Sequence, residues 1–382
     1  MKDSDTININ PEVLVWARQS LVLSKNQASE RTKINPKRLN HLESGEKLPT
    51  LDELRSFSKA YKRTIATLLL QNTPKEKPLP KDRRTINSSE IGSFHEKTIM
   101  AVRKARALAL SYLELRQEMN VNFPKFDLKA SMTDSPQVVA DSIRKILKLD
   151  ELRGISNINF ALEGYIEKVE SLGIAIFQLS LTQDDLRGFS ITDDIIPIIG
   201  IKRGSEQAHS KTFTLFHELG HVLLNEGGLC DMSSHSDIQI EKWCNSFSAG
   251  VLVPSTEFLQ MHSILEHQRQ NQKIWDKKEL IKLALYFHVG PLTILRSLLE
   301  HNLTTKSFYS EKHKAWNKPT FGRSKEPKGR EMHKESFKER GRTYISLAFS
   351  AYDQNRIDMK DLSDFLGLRF SYIPKTRALL KA

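Results

Sequence analysis

The chain has 382 residues, 39% of them hydrophobic and 27% charged, a globular composition with length for two or three separate cores. No apolar run approaches the roughly 18 residues of a membrane span, and the start MKDSDTININ lacks the charged-then-apolar plan of a signal peptide, so the expected location is the cytoplasm, with no membrane partner. Two cysteines, Cys230 and Cys244, are too few for a disulfide framework and read as reduced thiols, while a formal charge of +12 favours a polyanionic partner.

In chain order, Ser24 caps a first short helix, a turn follows at Lys33 to Asn35, and Pro36 opens a second helix. Two short helices joined by a tight turn are the helix-turn-helix plan, whose second helix lies in the major groove of duplex DNA. The motifs LS, LxxLESG and LPTLDEL make residues 1–73 resemble the five-helix Cro/CI-type (XRE) repressor fold. That resemblance implies that Pro36, Lys37, Arg38 and His41 project toward bases, that Asn40 touches phosphate, and that two copies pair through this domain. The sequence departs from the pattern at Lys25, where glutamine is usual, and at Pro36, which replaces a polar reader; a protein-docking module is the competing reading.

Three prolines within Pro74–Pro80 then break the pattern, and residues 74–93 read as a linker. Long helices are expected over Glu96–Glu118 and Ser135–Lys148. Three short β-branched runs follow, GIAIFQLSL, GFSIT and IIPIIGI, and lead into the helical stretch TFTLFHELGHVLLN. Helices resume past Asp237 and run to Glu300, a basic stretch at 301–342 reads as a solvated linker, and residues 343–382 read as a C-terminal helical hairpin.

The stretch HELGH carries the chemistry. On an α-helix residues i and i+4 share a face, so His217 and His221 can reach one tetrahedral Zn²⁺ while Glu218 is offset toward water as a general base. Gly220 is expected to leave room beside the site. The bland alternative is a helix with two satisfied core histidines; Phe213, Phe216, Leu223 and Leu224 already supply its apolar packing. A third ligand is needed. In EKWCNSFSAGVLVP, Glu241, Asn245 and Ser248 form one stripe and Cys244, Phe247 and Val251 another, so a crossing helix can aim Glu241 at the metal, with Asn245 holding a ligand in place. Cys230, Asp231, His235 and Asp237 in the intervening loop compete for the third position, and Cys244 reads as a small buried hydrophobe.

FTLFHELGHVLL followed by EKWCNSFSAGVLVP, with GFSITDDIIPIIGIKR upstream, resembles the ImmA/IrrE family of zinc metallopeptidases, and the resemblance covers most of the chain because that family often carries a Cro/CI-type domain in front. It implies a multidomain, mostly α protein with a small β-sheet and an α+β zincin-like (gluzincin) peptidase domain at 94–300. It also implies His217, His221 and Glu241 as zinc ligands, Glu218 as the base, and a repressor as the protein substrate. His41 and Ile65 depart from the tryptophan and proline usual in related fused proteins. The leading expectation is a DNA-linked zinc endopeptidase and transcription regulator that removes a repressor by limited proteolysis. A non-proteolytic regulator or antitoxin, in which the zinc domain senses or binds a partner, is the alternative. Three details complete the reading: an extended substrate pairs with an edge at Ile195–Lys202, the loop Asn225–Gln239 covers the metal, and Arg296, His235 or His288 stabilises the oxyanion.

Overall fold

The computed structural model describes residues 6–77, 79–80, 96–181, 186–192, 194–204, 207–230, 238–316 and 331–381. The chain divides into two units, Met1–Leu79 with Gly92–Ile99, and Pro80–Ile91 with Met100–Ala382. The expected linker at 74–93 falls mostly outside the described residues.

Five short helices build the first unit: α1 (Pro11–Gln19), α2 (Lys25–Thr32), α3 (Pro36–Glu43), α4 (Leu51–Tyr61) and α5 (Ile65–Leu68). Such short helices are marginal alone, and each is fixed at its start by a side-chain cap: Asn10, Ser24, Asn35, Thr50 and Thr64. Ser24 with Gln27 and Thr50 with Glu53 close reciprocal capping boxes. Leu14, Leu39, Leu54, Phe57 and Tyr61 fill the core, which contains a bidentate pair from Arg18 to Glu43 at 2.7 and 3.0 Å.

The second unit contains α6 (Glu96–Glu118) from Met100 onward, then α7 (Pro136–Leu147) and α8 (Ile158–Glu170). A sheet follows, of β1 (Ala175–Leu179), β2 (Gly188–Ile191), β3 (Ile198–Lys202) and β4 (Gly228–Cys230), in the order β1-β3-β2-β4. β1 and β3 are parallel; β2 pairs antiparallel with β3 and β4. Strand β3 is therefore central, which corrects the expectation of an edge at Ile195–Lys202. Its run IIPIIGI is apolar because the strand is covered on both faces, as unbroken apolar strands usually are. Ile195 itself lies outside the strand and is exposed.

Helix α9 (Ala208–Leu223) packs against β2, β3 and α8, and α10 (Ile238–Leu252) crosses it with α7 on the far side. Both are buried nearly all round, as helices inside a large core are. Then come α11 (Ser255–Phe258), α12 (His262–Arg269), α13 (Lys277–Tyr286), α14 (Pro291–Glu300) and α15 (Lys306–Trp316). The chain ends in α16 (Met332–Asp353), α17 (Met359–Leu366) and α18 (Ile373–Leu380). The basic stretch expected as a solvated linker thus contains α15 and the first half of α16, with 317–330 outside the described residues. Helix α16 packs on β1, and its acids take up basic groups from elsewhere in the unit: Lys104 to Glu339 at 2.6 Å, Arg203 to Glu335 and Glu339 at 3.4 Å. Gly341, at φ 80°, breaks α16 into two segments, a turn of the backbone that disfavours a side chain. Among the described residues no helix is long and apolar enough to cross a membrane.

Beside that break, Glu170 of α8 accepts a 2.5 Å hydrogen bond from the Thr343 hydroxyl. Burial pushes its carboxyl up to about 8, with Thr343 and Arg116 opposing and Glu167 adding to the rise. The folded state then holds a proton that the unfolded chain, at about 4.3, has released. Stability should therefore fall as pH rises from about 5 to 8. Glu170→Gln, which imitates the protonated acid, is expected to flatten that slope and raise the melting temperature at pH 8; an unchanged slope by thermal denaturation would count against a protonated Glu170.

Candidate functional site

His217 and Glu218 stand on α9 one turn before His221, and α10 brings Glu241 across them. Four side chains meet in the core, with His217 6%, Glu218 1%, His221 0% and Glu241 3% exposed. The Nε2 atoms of the two imidazoles are 3.2 Å apart, and the Glu241 oxygens lie 3.2 Å from His217 Nε2 and 3.3 Å from His221 Nε2. The carboxylate oxygens approach the nitrogens without the alignment of a hydrogen bond, so the donors converge on a shared centre. Among the described residues this is the group of histidine, cysteine and carboxylate side chains able to hold a metal, all three donors lying within 4.8 Å. Two imidazoles and one carboxylate, all buried, suit the donor chemistry of a Zn²⁺ site.

The electrostatics agree with that use. Burial works against charge on Glu241, but the two imidazoles outweigh it and hold the carboxyl down at about 2. Burial likewise lowers His217, and Glu241, Glu218 and Asn245 together reverse the effect and raise it. Asn245, one turn past Glu241, is thus placed beside His217. Ser248, a turn further, donates to the Phe213 carbonyl at 2.9 Å and ties α10 to α9.

Two glycines set the packing around this group. A methyl at Gly220 would meet Cys244 Sγ at 3.1 Å and a Phe247 ring carbon at 3.2 Å. The space expected beside the metal is therefore taken by α10, and Gly220 serves the close crossing of the helices. Cys244 is fully buried and forms no disulfide. Gly188, which the sequence reading passed over, lies against Glu218 from β2, where a methyl would come within 2.9 Å of its Oε1. An isolated glycine in a strand pattern is the available signal for such a close approach.

Arg296 and His288, two of the other expected participants, have partners of their own. Arg296 pairs with Glu300 at 3.1 Å on α14, and His288 is bonded to the Tyr165 hydroxyl at 3.2 Å and the Ile155 carbonyl at 2.7 Å. Asp231, His235 and Asp237, with the whole of 231–237 in the loop Asn225–Gln239, lie outside the described residues, as does the Cys230 side chain.

In the first unit, Pro36 and the exposed Lys37 open α3, with the Lys37 N–H bonded to the Asn35 cap at 2.9 Å. The remaining candidate readers have partners. Arg38 forks onto Glu53 at 2.8 and 2.9 Å and reaches the Leu48 carbonyl at 2.9 Å. Lys25 donates to Asn40 at 2.8 Å, and His41 pairs with Glu46. Glu53 also caps α4, so Arg38 fastens α3 to α4. Arg38→Ala is expected to cost about 1 kcal/mol of stability, a charged bond discounted for its partial exposure. Lys37→Ala is expected to leave stability unchanged and lower the salt slope of duplex binding by about 1. Melting curves and titrations at several salt concentrations separate the two; equal effects on both quantities would erase the distinction.

Residues 169–299 match the peptidase family model described as the IrrE N-terminal-like domain, and residues 14–68 match the model described as Helix-turn-helix. The first span contains His217, Glu218, His221 and Glu241; the second contains α2 and α3. An XRE-type helix-turn-helix and an ImmA/IrrE-type peptidase domain are therefore joined in one chain, and together they support a DNA-binding regulator. No curated protein and no solved structure matches the chain significantly.

Proposed function

We propose that the protein is a cytoplasmic zinc-dependent endopeptidase and transcription regulator that inactivates a repressor by limited proteolysis. The observation that carries this reading is the convergence of His217, His221 and Glu241 within 4.8 Å beside a buried Glu218. A site that only bound a partner or sensed a metal would need the ligands but not the acid.

His217, His221 and Glu241 would hold the metal, and Asn245 would orient His217. Zinc, when bound, supplies a water of pKa about 7 and polarises the scissile carbonyl. Glu218 takes the proton from the attacking water and delivers it to the leaving amine, so one side chain acts first as base and then as acid. Burial of all four groups excludes bulk water, which strengthens their mutual electrostatics. The extended substrate pairs with the sheet through β4, since β3 is central and β1 lies against α16.

The helix-turn-helix confines the activity by bringing the enzyme to a repressor, through a shared operator or through pairing of similar folds. Its test compares the full-length protein with a variant lacking residues 1–73 on two substrates, a repressor encoded beside it and a short peptide spanning the cut site. The deletion is expected to reduce repressor cleavage far more than peptide cleavage. Equal losses, or rapid digestion of casein by the full-length protein, would contradict the proposal.

A further inference from the structure

Strand β2 presents Gly188 to the face of α9 that carries Thr214 and Glu218, two residues one turn apart on the same side of the helix. A methyl built there would stand 2.6 Å from Thr214 Cγ2, 2.9 Å from Glu218 Oε1 and 3.1 Å from Glu218 Cγ. The backbone gives no reason for glycine, because Gly188 is not in the left-handed region and pairs with Ile201 on one side and Cys230 on the other. Glycine is therefore present for space. Of the two neighbours that would have to yield, Thr214 is pinned, its hydroxyl donating to the Ser210 carbonyl at 3.0 Å. The strand is held between two partners, and Glu218 Oε1 is the far end of a flexible side chain, the kind of atom that shifts at least cost when a methyl is built against it.

We infer that Gly188 is a positioning residue for Glu218, its missing side chain defining the space in which the carboxylate sits. The inference rests on the proteolytic reading for its consequence in rate and on packing alone for its geometry. Because the displaced group is the base and no metal ligand is touched, a side chain at 188 separates metal binding from turnover. Displacement of a reacting group by about 1 Å costs on the order of 10²-fold in rate.

The experiment uses full-length, zinc-loaded protein and measures zinc content, melting temperature, kcat and KM on a peptide substrate, and a crystal structure of Gly188→Ala. The variant is expected to keep its zinc and KM, to lose kcat by about 10²-fold, and to show the Glu218 carboxylate displaced. Adding Thr214→Ser removes the nearest methyl and tests for simple overcrowding: in the double variant stability should return while kcat stays low. Recovery of kcat in the double variant, loss of zinc in Gly188→Ala, or a Glu218 carboxylate in its wild-type position would overturn the inference. The crystal structure decides the geometric claim even if the wild type cleaves nothing, an outcome that would sink the proteolytic reading instead.

Discussion

Glu218→Gln is expected to bind zinc and melt like the wild type, or slightly higher, while cleaving its substrate about 10²- to 10⁴-fold more slowly, the usual contribution of a positioned acid and base. The amide matches the carboxylate in size, so it fits between Gly188 and Thr214 with no new contact. The loss of a charge from a side chain only 1% exposed also removes a desolvation cost, which is why stability should not fall. What disappears is the capacity to accept a proton from water and return it to the amine. The alternative of a metal-sensing or partner-binding regulator forecasts no such separation, because there the glutamate has no chemical task. Cleavage near the wild-type rate by the zinc-loaded variant would remove Glu218 from the mechanism.

The centre was legible because its signals are local. Spacing of four residues puts His217 and His221 on one helix face whatever surrounds the helix, and the stripe of Glu241, Asn245 and Ser248 could be read from α10 alone. Packing between elements could not be read in that way. The run at Ile195–Lys202 shows that a strand is apolar, but only the sheet order reveals β1 and β2 flanking it. Gly220 and Gly188 look alike in the sequence, and their separate duties, one toward Cys244 and one toward Glu218, arise from contacts on other elements. The basic tail misled for the same reason: composition records the excess of lysine and arginine, whereas Glu335 and Glu339 find their cations at Lys104 and Arg203, far away in the chain. In α3 the sequence gives the face of Arg38 but not Glu53, the partner that claims it.

Replacement of any one of the three proposed ligands, in His217→Ala, His221→Ala or Glu241→Ala, is expected to abolish both tight zinc binding and the stabilisation expected from zinc. Wild-type protein should carry about one zinc per chain, since three protein donors plus one open position complete a tetrahedral site. At free zinc 1,000-fold above its dissociation constant, the metal should stabilise the folded chain by about 4 kcal/mol. A chelator should remove that increment from the wild type and leave the three variants where they were. The variants need not be equal without metal. Glu241→Ala deletes a carboxylate held down at about 2 by both imidazoles, whereas each histidine variant strips that buried charge of one of its two partners. Leaving a buried charge with half its partners is costly, so the histidine variants should be the less stable when stripped. The decisive comparison is zinc content against melting temperature in Glu241→Ala: metal lost with its thermal increment places the third donor on α10, whereas one zinc retained with the full increment would assign that donor to the segment between Cys230 and Asp237.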